Sequence, residues 1–142
     1  MTKHITNSEK ETRALAADLA KALRPGDVVA FRGGLGVGKT AFVRGLAEGL
    51  GIADNVSSPT FALVHEYRSK TAVLCHFDMY RAFDSESLHA AGFFDYLDSG
   101  AFLAVEWSEN IARYLPENTI IVSMEHGGGD IRVITIEKGG AP

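Results

Sequence analysis

The sequence predicts one α/β domain, with a mixed, mainly parallel sheet flanked by helices and closed by a C-terminal hairpin. Three observations carry this. Short apolar runs of strand length alternate with segments of helical periodicity, as in βα units. A glycine-rich stretch at 33–38 joins one such run to one such helix. Two β-branched segments, Thr119–Met124 and Ile131–Ile136, flank the turn His126-Gly127-Gly128-Gly129-Asp130 and read as the hairpin. The chain has 142 residues, room for one domain (1–142) and not for two.

The elements follow in order. Ser8-Glu9-Lys10-Glu11 has the form of a capping box and opens a helix over 8–24. Leu15, Leu19 and Leu23 recur at a spacing of four along it, and Pro25-Gly26-Asp27 ends it. Val28-Val29-Ala30-Phe31 is a buried strand. Residues 39–50 carry Phe42, Val43, Leu46, Ala47 and Leu50 on one helical face, with Gly51 as the residue beyond the cap. Phe61–Tyr67 and Ala72–Phe77 read as strands joined tightly through Ser69-Lys70-Thr71. Residues 85–98 are helical but interrupted at Gly92, Ala101–Val105 is a central strand, and Ser108–Leu115 is a short helix stopped by Pro116.

Composition excludes several function classes. Apolar residues make up 46% and charged residues 23%, so global disorder and fibrous repeats are out. The net charge is −4 and the 14 Lys and Arg are scattered, which gives no basic face for an autonomous grip on nucleic acid. The N-terminus lacks the apolar core of a signal peptide, and no run is long enough to span a bilayer. A single cysteine, Cys75, fits a reducing compartment and reads as core. A cytoplasmic, soluble protein is expected.

Gly33-Gly34-Leu35-Gly36-Val37-Gly38-Lys39-Thr40 fits G-x-x-x-x-G-K-[ST] at every fixed position, between a strand and a helix as that motif requires. Its glycines let backbone N–H groups bend around a phosphate. Lys39 reaches the β- and γ-phosphates, the Thr40 hydroxyl is a magnesium ligand, and the helix N-terminus faces the same anion. The expected fold is therefore that of the P-loop NTPases.

Such a site needs an acid at the tip of a neighbouring strand. Phe102-Leu103-Ala104-Val105-Glu106 ends in one carboxylate, and Ala72-Val73-Leu74-Cys75-His76-Phe77-Asp78 ends in another. Either suits a role near the metal, as ligands bind at the carboxyl ends of strands. Ser57-Ser58-Pro59-Thr60-Phe61 lies where P-loop switches sense the γ-phosphate, with Thr60 offering a hydroxyl; a plain turn is the alternative. Neither N-K-x-D nor a D-x-x-G switch is present, so the base is adenine rather than guanine. The histidines and Cys75 show no ligand spacing for a metal site of their own, and Cys75 and His76, adjacent in a strand, point to opposite faces. Trp107 either stacks on a ligand or partner or packs. Thr12 and Arg132 are candidate adenine contacts.

With these residues assembled, the chain resembles the TsaE (YjeE) family, small bacterial P-loop ATPases needed to make threonylcarbamoyladenosine at position 37 of tRNAs that read ANN codons. The resemblance rests on the P-loop with Phe42-Val43-Arg44-Gly45-Leu46, then Ser58-Pro59-Thr60-Phe61, His76-Phe77-Asp78-Met79-Tyr80-Arg81 and Val105-Glu106-Trp107. It implies that Gly33, Gly34, Leu35, Gly36, Val37, Gly38, Lys39 and Thr40 hold ATP. It implies magnesium on Thr40 and Glu106, a hydrolytic role for Asp78 and a switch at Thr60. It also implies partners: the TsaB–TsaD pair, in which TsaD performs the transfer, with tRNA reached only through that complex. The chain departs from the family pattern at Gly34, where many members carry an acid, and at Met79, where Leu is usual.

The competing reading is a small-molecule kinase, which needs an acceptor pocket and commonly an arginine-bearing lid. Residues 79–98 are the stretch that could serve, and they hold one arginine, Arg81.

Overall fold

In a computed structural model, which describes residues 1–33, 38–53, 64–79 and 84–138, the elements run β1 (Thr2–Thr6), α1 (Glu9–Ala22), β2 (Val28–Arg32), α2 (Lys39–Gly49), β3 (Val64–Arg68), β4 (Val73–Asp78), α3 (Ser85–Ala90), α4 (Phe93–Leu97), β5 (Phe102–Glu106), a 3-10 helix (Ser108–Tyr114), β6 (Ile120–Gly128) and β7 (Ile131–Lys138). The strands form one seven-stranded sheet in the order β1-β7-β6-β2-β5-β4-β3. Its centre is parallel: β2 pairs with β6 on one side and β5 on the other, and β5 pairs with β4. Its flanks are antiparallel, β7 and β1 at one end and β3 at the other. The expected α/β architecture is thus present, with its hairpin. Among the described residues no helix is long and apolar enough to cross a membrane.

The parallel centre is buried on both faces, which is why its strands read as unbroken apolar runs. Alternate residues feed two cores. On one face Val29, Phe31, Leu74, Phe102, Ala104 and Val122 pack against α1 and α2. On the other Val28, Cys75, Phe77, Leu103 and Val105 pack against Leu88 of α3, Phe93 of α4 and Ile111 of the 3-10 helix.

Ser8 caps α1, its Oγ accepting the Glu11 N–H at 3.1 Å. The return half of the box is displaced by one residue: Glu11 Oε1 accepts the Asn7 N–H at 3.1 Å. The leucines of α1 are only partly buried; its fully buried positions are Thr12, Ala16 and Ala20. The reason lies in α2. A Cβ added to Gly45 would come 2.6 Å from Ala16 Cβ, and one added to Gly49 would come 2.6 Å from Ala20 Cβ. Small residues at matching i, i+4 positions therefore bring the two backbones together, and the leucines lie beside the seam. Arg13–Glu48 and Arg44–Glu9 ion pairs flank it at the surface.

Two other differences from the sequence reading have physical causes, and one expectation holds. β1 holds one apolar residue, Ile5, which is exposed, so alternation could not reveal a strand that exists by pairing with β7. The helical segment 85–98 does break at Gly92, whose φ of 76° starts α4. The hairpin strands run further than expected: the register shifts between His126 and Gly128, and the turn shrinks to Gly129-Asp130. Phe61, Ala62 and Leu63, the start of the strand expected at 61–67, lie outside the described residues.

Gly45→Ala is expected to destabilise the domain by about 1–3 kcal/mol through overpacking, despite roughly 1 kcal/mol gained in helix propensity. Thermal unfolding should show the midpoint falling by roughly 2–4 °C per kcal/mol. An unchanged midpoint would mean that the helices can separate at no cost.

Cys75 is fully buried, and burial pushes its thiol from 9.0 up to about 12. Because the raised value favours the neutral form, its contribution to stability is intact below the ordinary thiol range. It is lost as pH climbs from there through about 12. At pH 8 the folded protein should resist a thiol reagent and react only once denatured. Rapid modification of the native state would contradict this burial.

Candidate functional site

The carboxyl ends of β2, β5 and β4 lie side by side, and the sequence sends a different functional group from each. β2 runs into Gly33, whose φ of 138° is a left-handed turn out of the strand. Gly38, with φ of 96°, is the N-cap of α2. Gly38 brings no side chain to cap that helix, in place of the usual Ser, Thr, Asp or Asn oxygen. Such a helix start suits an anion.

Lys39 is the first residue of α2 and only 6% exposed. Its Nζ lies 4.9 Å from the centroid of the Trp107 ring. Trp107 is the one non-glycine with positive φ (57°) among the described residues. That conformation costs about 1–3 kcal/mol and turns the chain sharply at the end of β5. Ser108 then fastens the turn to β2, its buried hydroxyl donating to the Phe31 carbonyl at 2.9 Å. The strand carrying Glu106 and the strand entering the phosphate loop are thereby locked together.

Glu106 ends β5 and is 8% exposed. It lies opposite Asp78 in the parallel register with β4, and the Met79 N–H donates to its carbonyl at 3.0 Å. Its side chain is held by His76: Nε2 is 2.6 Å from Oε2. His76 and Asp78 are two apart in β4 and so share a face, the one packed by α1 and α2. Sequence reasoning set His76 apart from Cys75 and counted it in a family block, but gave it no role of its own. The available signal was a histidine two residues before a strand-end acid in an otherwise apolar strand.

Arg132 and Thr12, 120 positions apart in the chain, converge on one corner. Arg132 of β7 pairs in register with Thr6 of β1, and the Thr6 hydroxyl lies 2.7 Å from that of Thr12. Thr12 is buried there, with its oxygen engaged at the joint between β1 and α1. The Arg132 side chain reaches the start of α2: a Cβ on Gly38 would lie 3.8 Å from its Nε. Its Nη1 also donates to the Gly129 carbonyl at 2.8 Å. Gly34, Leu35, Gly36, Val37, Thr60 and Arg81 lie outside the described residues.

Among the described residues no three His, Cys, Asp or Glu side chains converge as a closed metal cage. Magnesium takes one or two protein oxygens and completes its shell with phosphate and water. The buried Glu106 carboxylate at the end of β5 and the α2 start, with glycine where a Cβ would meet Arg132, fit a magnesium nucleotide.

A family model described as "Threonylcarbamoyl adenosine biosynthesis protein TsaE" matches residues 6–134. The chain belongs to the TsaE family. It is 40% identical to the tRNA threonylcarbamoyladenosine biosynthesis protein TsaE of Bacillus subtilis over 92% of this chain and 81% of that one. It is 34% identical to the protein of the same name from Treponema pallidum, over 93% and 97% of the two chains. The crystal structure of Bacillus subtilis YdiB superposes with a TM-score of 0.83 at 34% identity, covering 98% of this chain and 86% of that one. The family resemblance drawn from four sequence blocks and the expected fold are both confirmed.

Proposed function

We propose that this TsaE-family chain is a magnesium-dependent ATPase, acting in tRNA threonylcarbamoyladenosine biosynthesis as the nucleotide-driven partner of the TsaB–TsaD pair. One observation carries the ATPase reading: Lys39 opens an uncapped α2 directly after the G-x-x-x-x-G loop, with Glu106 at the end of the next strand. The family and its curated relatives support the biosynthetic role. They lend nothing to the small-molecule kinase alternative. The same reading puts the protein in the cytoplasm.

In this reading Lys39 neutralises charge on the β- and γ-phosphates, and the first turn of α2 donates its N–H groups to them. Thr40 and Glu106 hold the magnesium. A magnesium ion held there would supply charge neutralisation at the phosphoryl oxygens. Asp78, level with Glu106 on the neighbouring strand, orients the attacking water. Arg132 reaches the nucleotide from β7. The γ-phosphate state is passed to the partners through the segment around Thr60.

Lys39→Ala is expected to abolish ATP turnover while the fold survives, since the ammonium serves the ligand rather than the core. Glu106→Ala should cost far more activity than Glu117→Ala, an exposed acid beyond the 3-10 helix, and should alone weaken the magnesium dependence. Asp84 is a poorer comparison because it caps α3, accepting the Ser87 N–H at 2.8 Å. Wild-type phosphate release by Lys39→Ala would overturn the phosphate-loop assignment. Equal losses at Glu106 and Glu117 would make Glu106 an ordinary acid.

Hydrolysis by the isolated chain should be slow. The sequence contains no glutamine to orient water, and Arg44 pairs with Glu9 across the α1–α2 seam at 3.1 Å. Arginines supplied by a partner accelerate related switches by roughly 10³–10⁵-fold. Steady-state phosphate release should therefore rise when the TsaB–TsaD pair is added. The net charge of −4 leaves tRNA contact to those partners. A fast isolated enzyme indifferent to the pair would overturn the partner reading, and a requirement for a small acceptor would restore the kinase.

A further inference from the structure

One buried side chain is accounted for neither by the phosphate loop nor by the packing of the sheet. His76 is 0% exposed in the middle of β4, between the buried Cys75 and Phe77 and level with Ala104 of β5. A leucine or phenylalanine there would extend the apolar core at no polar cost. The histidine instead makes one side-chain hydrogen bond, Nε2 to Glu106 Oε2 at 2.6 Å, while its buried Nδ1 has no partner among the described residues. A buried polar atom left unpaired is a net cost of folding. As packing alone, then, the histidine is a poor choice, and its one favourable polar contact is to Glu106.

We infer that His76 is a positioning residue for Glu106: its Nε2–H fixes the rotamer of the carboxylate so that Oε1 is turned toward the metal-nucleotide. This rests on the reading of Glu106 as a magnesium contact. The chemistry is direct. A carboxylate only accepts, so the shared hydrogen belongs to Nε2. A glutamate side chain has three rotatable bonds, and at 8% exposure little water is available to steady it. One short bond to a histidine that is itself immobilised in a strand removes that freedom and leaves the second oxygen for the ion. Partners of this kind behind a metal-binding carboxylate are worth roughly 10–100-fold in metal affinity. Sheet geometry makes the arrangement possible. In the parallel register Glu106 is level with Asp78, so a side chain two residues earlier on β4 reaches it diagonally on the same face.

The test measures magnesium binding to the ADP-loaded full chain by isothermal titration, together with ADP affinity in EDTA and the thermal midpoint. Wild type, His76→Ala, His76→Phe, His76→Gln, Glu106→Ala and the His76→Phe/Glu106→Ala double variant are compared. His76→Phe fills the space without a donor, and His76→Gln restores an N–H at the place of Nε2. The expected result is magnesium affinity about tenfold or more weaker in His76→Ala and His76→Phe, with ADP affinity in EDTA unchanged. His76→Gln should return to within about threefold of wild type, and the double variant should be no worse than Glu106→Ala, on the same scale. If His76→Ala fails to fold, His76→Phe against His76→Gln decides the matter. Equal magnesium affinity in His76→Phe and wild type, while Glu106→Ala is weakened, overturns the positioning role alone. Wild-type magnesium affinity in Glu106→Ala overturns the metal reading of Glu106 and this inference with it.

Discussion

With glycine at 45 and 49 of α2 and alanine at 16 and 20 of α1, two helices meet with nothing thicker than a methyl group between their backbones. The start of α2 inherits its position from that approach. A helix starting with glycine and an uncapped first turn has little local stability to hold its own N-terminus in place. Here the helix is pinned along its length instead, by α1 on one side and on the other by the sheet, into whose core its own Phe42, Val43 and Leu46 pack. Lys39 is therefore delivered to one spot above the strand ends by packing a full two turns away. The surface ion pairs along the seam add little to this, as exposed pairs do.

The strand ends are fixed by a second set of contacts. The Ser108 hydroxyl ties the chain beyond β5 to β2, and the Met79 N–H ties the chain beyond β4 to β5. Between these ties the three strands bearing Gly33, Glu106 and Asp78 cannot slide relative to one another. A one-residue slip would send each carboxylate to the opposite face, into the core built on Phe77 and Val105. Preorganisation here is thus a matter of register first and of side-chain hydrogen bonds second.

Much of this was legible in the sequence because it is written locally. Ser8 with Glu11, Gly92 between two helical turns, and the apolar run ending in Glu106 each specify an element within a few residues. Lys39, Thr40, Asp78 and Glu106 were likewise visible as motif and strand-end positions. What escaped was long-range. β1 exists through its pairing with β7, the hydroxyl of Thr12 goes to a strand that periodicity could not show, and Arg132 comes beside Gly38 across nearly the whole chain. The pairing of His76 with Glu106 depends on which strands are neighbours and in what register, and a linear pattern does not carry that. The seam of α1 with α2 was not visible either. The leucines recur at helical spacing, but the close approach falls at Ala16 and Ala20 because their partners are glycines.

The antiparallel flanks of the sheet have a consequence for the life of the protein in a crowded solution. The most apolar strand, Phe102–Glu106, is enclosed between β2 and β4, so its backbone never offers itself to another molecule. The outermost strands among the described residues are of a different character. β3 shows exposed His65, Glu66 and Arg68, and β1 shows Lys3 beside its single exposed Ile5. Charged side chains along an open edge discourage a second sheet from zipping onto it. The strands that build the site are thus shielded from intermolecular β-pairing by strands too polar to recruit one another.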